Sequence, residues 1–125
     1  MGNEQRFDLR YSWTKWPLTI LGMGPKRSWI EVDDSEVRVR MGWAFSATIP
    51  RDAVTDASEE PMKGWLGIGV HGFGSRWQVN GALGPGVEFT IDPAVRSRVA
   101  FFFVRLRMLR VGAADPAAVI AALSR

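Results

Sequence analysis

The sequence predicts a mainly β protein, a β-rich α+β chain that ends in one helix. Apolar and polar residues alternate in several short segments, which is typical of strands with one buried face. Glycine, proline and pairs such as Asn80-Gly81 separate these segments where turns are expected. The last segment, after Asp115-Pro116, has instead the composition of a helix. Together these observations favour an antiparallel sheet covered by a C-terminal helix.

The first elements follow from alternation and its interruptions. Residues 6–13 alternate strictly and predict a first strand, with Phe7, Leu9, Tyr11 and Trp13 on one side. Residues 16–22 fit two structures, a short amphipathic helix or a buried irregular crossing. Either one ends at the glycines and proline of residues 22–25.

A β-hairpin is predicted for residues 28–41. Residues 29–32 and 36–41 alternate on both sides of Asp33-Asp34-Ser35, and Arg38 and Arg40 face away from the valines between them. Residues 43–49 continue as a third strand, which Pro50 closes because proline has no N–H to donate. Residues 51–60 predict a turn and a short strand around Val54 at a sheet edge.

The second half predicts four more strands. Eight glycines between residues 64 and 86 fit two short strands, near 67–71 and 76–80, with a turn at 72–75. Residues 87–91 form the next strand, which Asp92-Pro93 is expected to terminate, and 93–98 form a polar or helical turn. A final strand covers residues 101–110. We expect it to point Val104, Leu106 and Met108 inward and Arg105 and Arg107 outward.

The C-terminal helix is predicted for residues 115–123. Asp115 is a preferred N-cap residue, and proline is favoured at the first helical position. Val119, Ile120 and Leu123 form its apolar face, which requires a sheet to cover.

Composition limits the classes of protein that fit. The 125 residues are enough for one domain, residues 1–125, with its own core. Cysteine is absent, which excludes disulfides, thiolate metal sites and cysteine nucleophiles and fits a cytoplasmic location. No apolar run reaches the roughly 20 residues that span a bilayer, and the polar start does not resemble a signal peptide. We therefore expect a cytoplasmic protein without transmembrane insertion.

The order of these elements resembles a known superfold. About seven antiparallel strands followed by one helix is the layout of the pleckstrin-homology superfold, a partly open barrel plugged by its C-terminal helix. Residues 38–45 (RVRMGWAF) leading into 49–54 (IPRDAV) resemble small bacterial pleckstrin-homology-like domains. Residues 67–72, 77–81 and 111–123 are similar to an uncharacterised family of bacterial hypothetical proteins. The resemblance covers nearly the whole chain and implies a fold without implying an activity.

The sequence supplies no catalytic signature. His71 is the only histidine, and no Gly-x-Ser-x-Gly elbow precedes a helix. The string Gly67-Ile68-Gly69-Val70-His71-Gly72 does not open a helix, as a dinucleotide site must. We therefore predict a protein that is not an enzyme, with no cofactor and no metal. A small-molecule or enzyme pocket near His71 is kept as the second alternative, with the candidates His71, Arg76, Trp77 and Asn80.

Two surfaces are candidate binding sites. Tryptophan and arginine are enriched in binding hot spots, and the chain has six tryptophans and thirteen arginines. The leading hypothesis is a non-catalytic binding or assembly module for a protein partner, including a second copy, through Trp13, Trp16, Trp43 and Trp65. The first alternative is an anionic ligand, a lipid headgroup or, less favoured, a nucleic acid, on a stripe of Arg38, Arg40, Arg105 and Arg107. These arginines also fit a solvated sheet face with Glu31, Glu36 and Glu88 as cross-strand partners.

Overall fold

The computed structural model describes residues 4–12, 15–62 and 69–124. In these ranges the chain forms nine strands and two α-helices, with 3-10 turns at Pro25–Arg27 and Arg51–Ala53. The elements are β1 (Gln5–Phe7), α1 (Lys15–Ile20), β2 (Ser28–Val32), β3 (Glu36–Met41), β4 (Phe45–Pro50), β5 (Val54–Pro61), β6 (Gly69–Phe73), β7 (Arg76–Asn80), β8 (Pro85–Val99), β9 (Phe102–Gly112) and α2 (Pro116–Leu123).

All described strands join one open sheet in the order β1-β2-β3-β4-β8-β9-β7-β6. The strand β5 lies off this path and pairs with the first half of β8, whereas β4 pairs with the end of β8. A mainly β chain with an open sheet and a C-terminal helix is confirmed. The described residues nevertheless contain nine strands rather than about seven. The prediction of antiparallel pairing throughout is wrong for β7, which runs parallel to β9.

The helix α2 has the predicted N-terminus. The Asp115 carboxylate accepts a hydrogen bond from the Ala118 backbone N–H at 3.1 Å, and Pro116 occupies the first turn. Val119 is fully buried and belongs to the core that Phe45 and Phe89 fill from the sheet. The helix therefore covers the inner face of the sheet.

The strand β8 corrects two predictions. It continues through Asp92-Pro93 to Val99. An irregular stretch after Thr90 leaves Asp92 and Pro93 without pairs in β9, so the missing backbone N–H of proline interrupts no hydrogen bond between the strands. The stretch holds four residues in β8, 91–94, opposite the single residue Arg107 in β9. As a result the inward-facing positions of β9 change from even to odd residue numbers at this point: Leu106 is buried before it and Leu109 after it. Met108 is only half-buried, not directed inward as predicted.

Residues 15–20 adopt the helical alternative. In α1, Leu18 is buried against the core, whereas Trp16 and Ile20 are exposed. No helix in the described part of the chain has the length and hydrophobicity to cross a bilayer.

Candidate binding surface

Two turns of the sheet meet at one end of the molecule. Residues 42–44 join β3 to β4, and residues 100–101 join β8 to β9. The Ala100 N–H donates to the Ala44 carbonyl at 2.7 Å. The Arg98 guanidinium donates from Nη1 to the carbonyls of Trp43, at 2.7 Å, and Ala100, at 3.1 Å. Arg98 therefore connects the two turns through their backbones.

Large aromatic side chains are exposed on these turns. The Trp43 indole stacks on the Phe101 ring with centroids 5.9 Å apart and an interplanar angle of 29°. Trp43 is 45% exposed and Phe101 is 87% exposed. Phe102 and Phe103 follow at 69% and 60%. Burying rings of this size is favourable, so their exposure makes these two turns a candidate contact surface.

The segment that contains α1 packs beside Trp43. The Trp43 indole N–H donates to the Leu21 carbonyl at 2.6 Å, and the Gly42 N–H donates to the Arg27 carbonyl at 2.8 Å. Gly42 has φ +53°, and a Cβ there would overlap the Gly22 carbonyl. Only glycine permits this close approach of the two loops. We call the resulting surface the aromatic pole; its exposed apolar residues are Trp16, Ile20, Leu21, Trp43, Phe101, Phe102 and Phe103.

Basic side chains border the aromatic pole. The Arg96 guanidinium lies 4.0 Å from the centroid of the Phe103 ring, and that of Arg40 lies 5.6 Å from the Trp29 centroid. A groove of about 580 Å³ beside α1 is lined on one side by Lys26 and Arg27. Among the described residues none of these four cations, nor Arg98, forms an ion pair with a carboxylate.

Carboxylates concentrate at the opposite end of β2 and β3, around Arg38. Its guanidinium is hydrogen-bonded to four of them at 2.5–3.3 Å, a group we call the Arg38 cluster: Glu4, Glu31, Asp33 and Glu36. Glu31 also accepts from Arg6 at 2.7 Å. Arg38 is thus neutralised by its neighbours.

The protonation equilibria of the Arg38 cluster are shifted accordingly. The Ser35 and Glu36 backbone N–H groups donate to Asp33, and together with Arg38 they hold the pKa of Asp33 well below its usual range. Burial would raise the pKa of Glu31, but hydrogen bonds from Arg6 and Arg38 outweigh it, so this pKa is lowered. Burial would lower the pKa of Arg38, but its carboxylate partners raise it overall.

The structure divides the predicted arginine stripe. The strands β3 and β9 are not neighbours, because β4 and β8 lie between them. Arg38 belongs to the Arg38 cluster, Arg40 points toward the aromatic pole, and Arg105 and Arg107 are exposed farther along β9. Of the predicted partners, Glu31 and Glu36 bind Arg38, whereas Glu88 binds Arg110, a residue outside the predicted stripe. One row of register partners does cross the sheet on a single face: Trp29, Arg40, Ser46, Arg98 and Phe103.

The predicted tryptophan surface is located in part. Trp16 and Trp43 both lie at the aromatic pole. Trp13 and Trp65 lie outside the described residues.

The predicted pocket residues lie on the β6–β7 hairpin. The Trp77 indole N–H donates to the Gly74 carbonyl at 2.9 Å, and the fully buried Asn80 donates to the Ala82 carbonyl at 3.1 Å. His71 is half-buried opposite Gln78, and Arg76 is exposed at the turn. Trp77 and Asn80 are therefore engaged within or next to their own hairpin.

Sequence reasoning missed part of the aromatic pole. It named none of residues 101–103 as exposed, although it correctly placed Phe102 and Phe103 in the last strand, and it assigned Arg98 to a polar turn rather than to β8. The available signal was three consecutive phenylalanines between arginines, since alternating burial accommodates at most two of them on one face. The contribution of Ile20 and Leu21 had no comparable signal.

Comparison with known proteins adds no assignment. No family model, no curated protein and no solved structure matches the chain.

Proposed function

We propose that this protein is a non-catalytic binding module that attaches reversibly to an anionic membrane surface through its aromatic pole. The observation on which the proposal depends is the stacked Trp43–Phe101 pair, exposed on two turns that Arg98 connects. Aromatic side chains are favoured at the boundary between lipid headgroups and acyl chains. Turns that protrude from a sheet can enter this boundary without unfolding.

The charges around the aromatic pole support an anionic partner. Arg96 lies over the Phe103 ring of the pole, and Arg40 contacts the Gly42 carbonyl next to Trp43. Lys26 and Arg27 border the groove. Among the described residues, none of these four cations forms an ion pair. Each such cation contributes about 1 kcal/mol near an anionic lipid surface. Each well-buried ring adds about 1.5–3 kcal/mol. Together, several favourable free energies of this size exceed the free-energy cost of association by a small margin, as reversible attachment requires.

The distribution of acidic groups supports an orientation in which the aromatic pole faces the membrane. Asp33 and Glu36 lie at the end of β3 that is remote from Gly42, about 20 Å away for a strand of this length. An anionic surface would attract the aromatic pole and repel the opposite end. A protein partner, in contrast, ordinarily pairs with both donors and acceptors across an interface. This asymmetry is why we place a membrane before a protein partner.

We also propose a cytoplasmic location and a pleckstrin-homology-like fold family for this protein. The absence of cysteine fits the cytoplasm, where the membrane leaflet is anionic. A resemblance to pleckstrin-homology-like domains remains a proposal about the fold family. It is supported by the open β-sheet and the C-terminal helix.

The test is co-sedimentation with vesicles of phosphatidylcholine alone and of phosphatidylcholine with phosphatidylglycerol, at low and high salt. We expect binding to the anionic vesicles only, weakened by salt. The double variant Trp43→Ser/Phe101→Ser should reduce the fraction bound at least tenfold. Phe73→Ser is the matched control, because Phe73 is equally exposed but lies on the β6–β7 turn, away from the aromatic pole.

Light scattering of the free protein separates this function from self-association. A monomer that binds anionic vesicles supports the proposal. A dimer that is insensitive to salt and is lost in Trp43→Ser/Phe101→Ser would assign the aromatic pole to a second copy. Equal binding to neutral and anionic vesicles would contradict the role of the cations.

A further inference from the structure

The strand β5 has one edge without a partner. All its pairs, from Val54↔Ile91 to Pro61↔Pro85, are with β8 on one side. In the described part of the chain, no strand pairs with its other edge. Such an edge presents unpaired N–H and C=O groups that can pair with an additional strand.

Acidic side chains lie along this edge. Asp56 and Glu59 are exposed and Glu60 is half-buried, and none of them forms an ion pair with a described cation. Exposed sheet edges are more often protected by lysine, which repels the approach of another strand. Carboxylates without cation partners instead favour a strand that brings lysine or arginine.

A cleft opens between β5 and α2. Its volume is about 270 Å³. Val54, Ala57, Ile120 and Leu123 provide its apolar lining. Arg51 fixes the wall on the helix side by donating to the Leu123 carbonyl at 2.8 Å and to the Asp33 carbonyl at 2.9 Å.

We propose that the open edge of β5 binds an extended basic segment of a partner protein, which adds to the sheet as one further strand. Side chains alternate between the two faces of a strand. In β5 the cleft residue Ala57 lies on one face, and Asp56 and Glu60 lie on the other. A single segment can therefore place an apolar side chain in the cleft and lysine or arginine beside Asp56 and Glu60. Backbone hydrogen bonds provide affinity, whereas the cleft and the carboxylates provide specificity.

This inference does not depend on the proposed membrane function. The strand β5 lies beside residues 85–91 of β8, whereas the aromatic pole begins near Ala100 at the other end of β8. The separation is about 30 Å along an extended chain. Both surfaces can therefore be occupied at the same time.

The experiment titrates the intact protein with a capped hexapeptide in which lysine or arginine alternates with valine or isoleucine, followed by calorimetry and amide hydrogen exchange. We expect binding that weakens with salt and slows exchange of the β5 amides. Three control peptides have glutamate for the basic residues, serine for the apolar residues, or N-methyl groups that block backbone donors. Each control should lose affinity at least about tenfold.

Charge reversal in the protein provides the second arm. Asp56→Lys/Glu60→Lys should reduce affinity for the basic peptide at least about tenfold, whereas Asp8→Lys, which changes an exposed acid near β1, should not. Equal binding of the N-methylated peptide, or no loss on charge reversal, would overturn the inference. So would the absence of binding to the folded wild-type protein, or dimerisation through β5 that excludes the peptide.

The two proposals fail separately. Trp43→Ser/Phe101→Ser should lose vesicle binding and keep peptide binding. Asp56→Lys/Glu60→Lys should lose peptide binding and keep vesicle binding.

Discussion

Two arginines on the same face of β3 lie in opposite electrostatic environments. Arg38 is held by the four carboxylates of the Arg38 cluster, whereas Arg40, two residues later, contacts the Trp29 ring and the Gly42 carbonyl. The difference arises from the neighbouring strands, since Arg38 is opposite Glu31 and Arg40 is opposite Trp29. Register, rather than residue type, decides which arginine stabilises the fold and which remains available to a partner.

The same contrast extends to the two ends of the β2–β3 hairpin. At one end, charges satisfy one another within the protein. At the other end, the aromatic pole combines exposed rings with cations that have no carboxylate partners among the described residues. We therefore expect substitutions in the Arg38 cluster to change stability and substitutions on the aromatic pole to change binding.

The largest expected effect is a loss of stability in Gly42→Ala. A methyl group there would overlap the Gly22 carbonyl, at a backbone conformation that already disfavours alanine. We expect about 3 kcal/mol of destabilisation, measured by urea unfolding. Gly74→Ala is the matched control, because Gly74 also has positive φ but open space around it; its cost should be about 1–2 kcal/mol. Equal costs would show that the contact between the two loops is unimportant.

Removing the Arg38 guanidinium should have the next largest effect. Arg38→Met leaves the partly buried Glu31 with one cation partner and Asp33 and Glu36 with none among those described. We expect a loss of about 1–3 kcal/mol in the free energy of unfolding. Arg105→Met removes an exposed arginine of β9 and should change stability by less than about 0.5 kcal/mol. Similar values for the two variants would remove the distinction between the regions.

The pH dependence of stability should report the Arg38 cluster. The pKa values of Asp33 and Glu31 are lowered in the folded protein. The stability that these two carboxylates contribute is therefore fully present above their pKa values in the unfolded chain, about pH 4. This contribution is lost as the pH falls through the pKa values of the two carboxyl groups in the folded protein. We expect the urea midpoint to decrease below about pH 4, and the decrease to be smaller in Asp33→Asn. Glu59→Gln, which removes an exposed carboxylate without an ion pair among the described residues, should keep the wild-type decrease.

The smallest expected effect on stability is that of Phe101→Ser. The ring is almost fully exposed and contacts Trp43 on the surface. The free energy of unfolding, measured by thermal denaturation, should therefore change by less than about 0.5 kcal/mol. Phe89→Ala, in the core, provides the scale and should cost about 3–5 kcal/mol. A large loss of stability in Phe101→Ser would mean that the aromatic pole supports the fold rather than a partner.

Local patterns in the sequence predicted much of the fold. Alternation located β2, β3 and β4 to within a few residues, because their buried face is continuous and their turns are short. The pair Asp115-Pro116 located α2 for the same kind of local reason. These elements depend on neighbours in the sequence, which are visible without a structure.

The parts that could not be predicted depend on distant residues. Glu4 is 34 residues from its partner Arg38, and no local pattern connects them. The parallel pairing of β7 with β9 is equally non-local. The candidate surface was predicted in part, since Trp16 and Trp43 were named but residues 101–103 were not. Three consecutive phenylalanines signalled that not all could be buried, but the contact of their turn with the Trp43 turn joins residues 55 positions apart, which no local pattern describes.

The irregular stretch of β8 has a consequence for changes in chain length. It places four residues, 91–94, opposite one, and β9 changes its inward-facing parity across this point. A deletion within 92–94 can be absorbed because these three residues form no ladder pairs, whereas Ile91 pairs with Val54 of β5. One residue inserted between Leu106 and Leu109 would instead shift the frame of β9 and turn either Leu106 and Val104 or Leu109 and Val111 toward solvent. The sheet thus has one position where length is tolerated, directly opposite one where it is not.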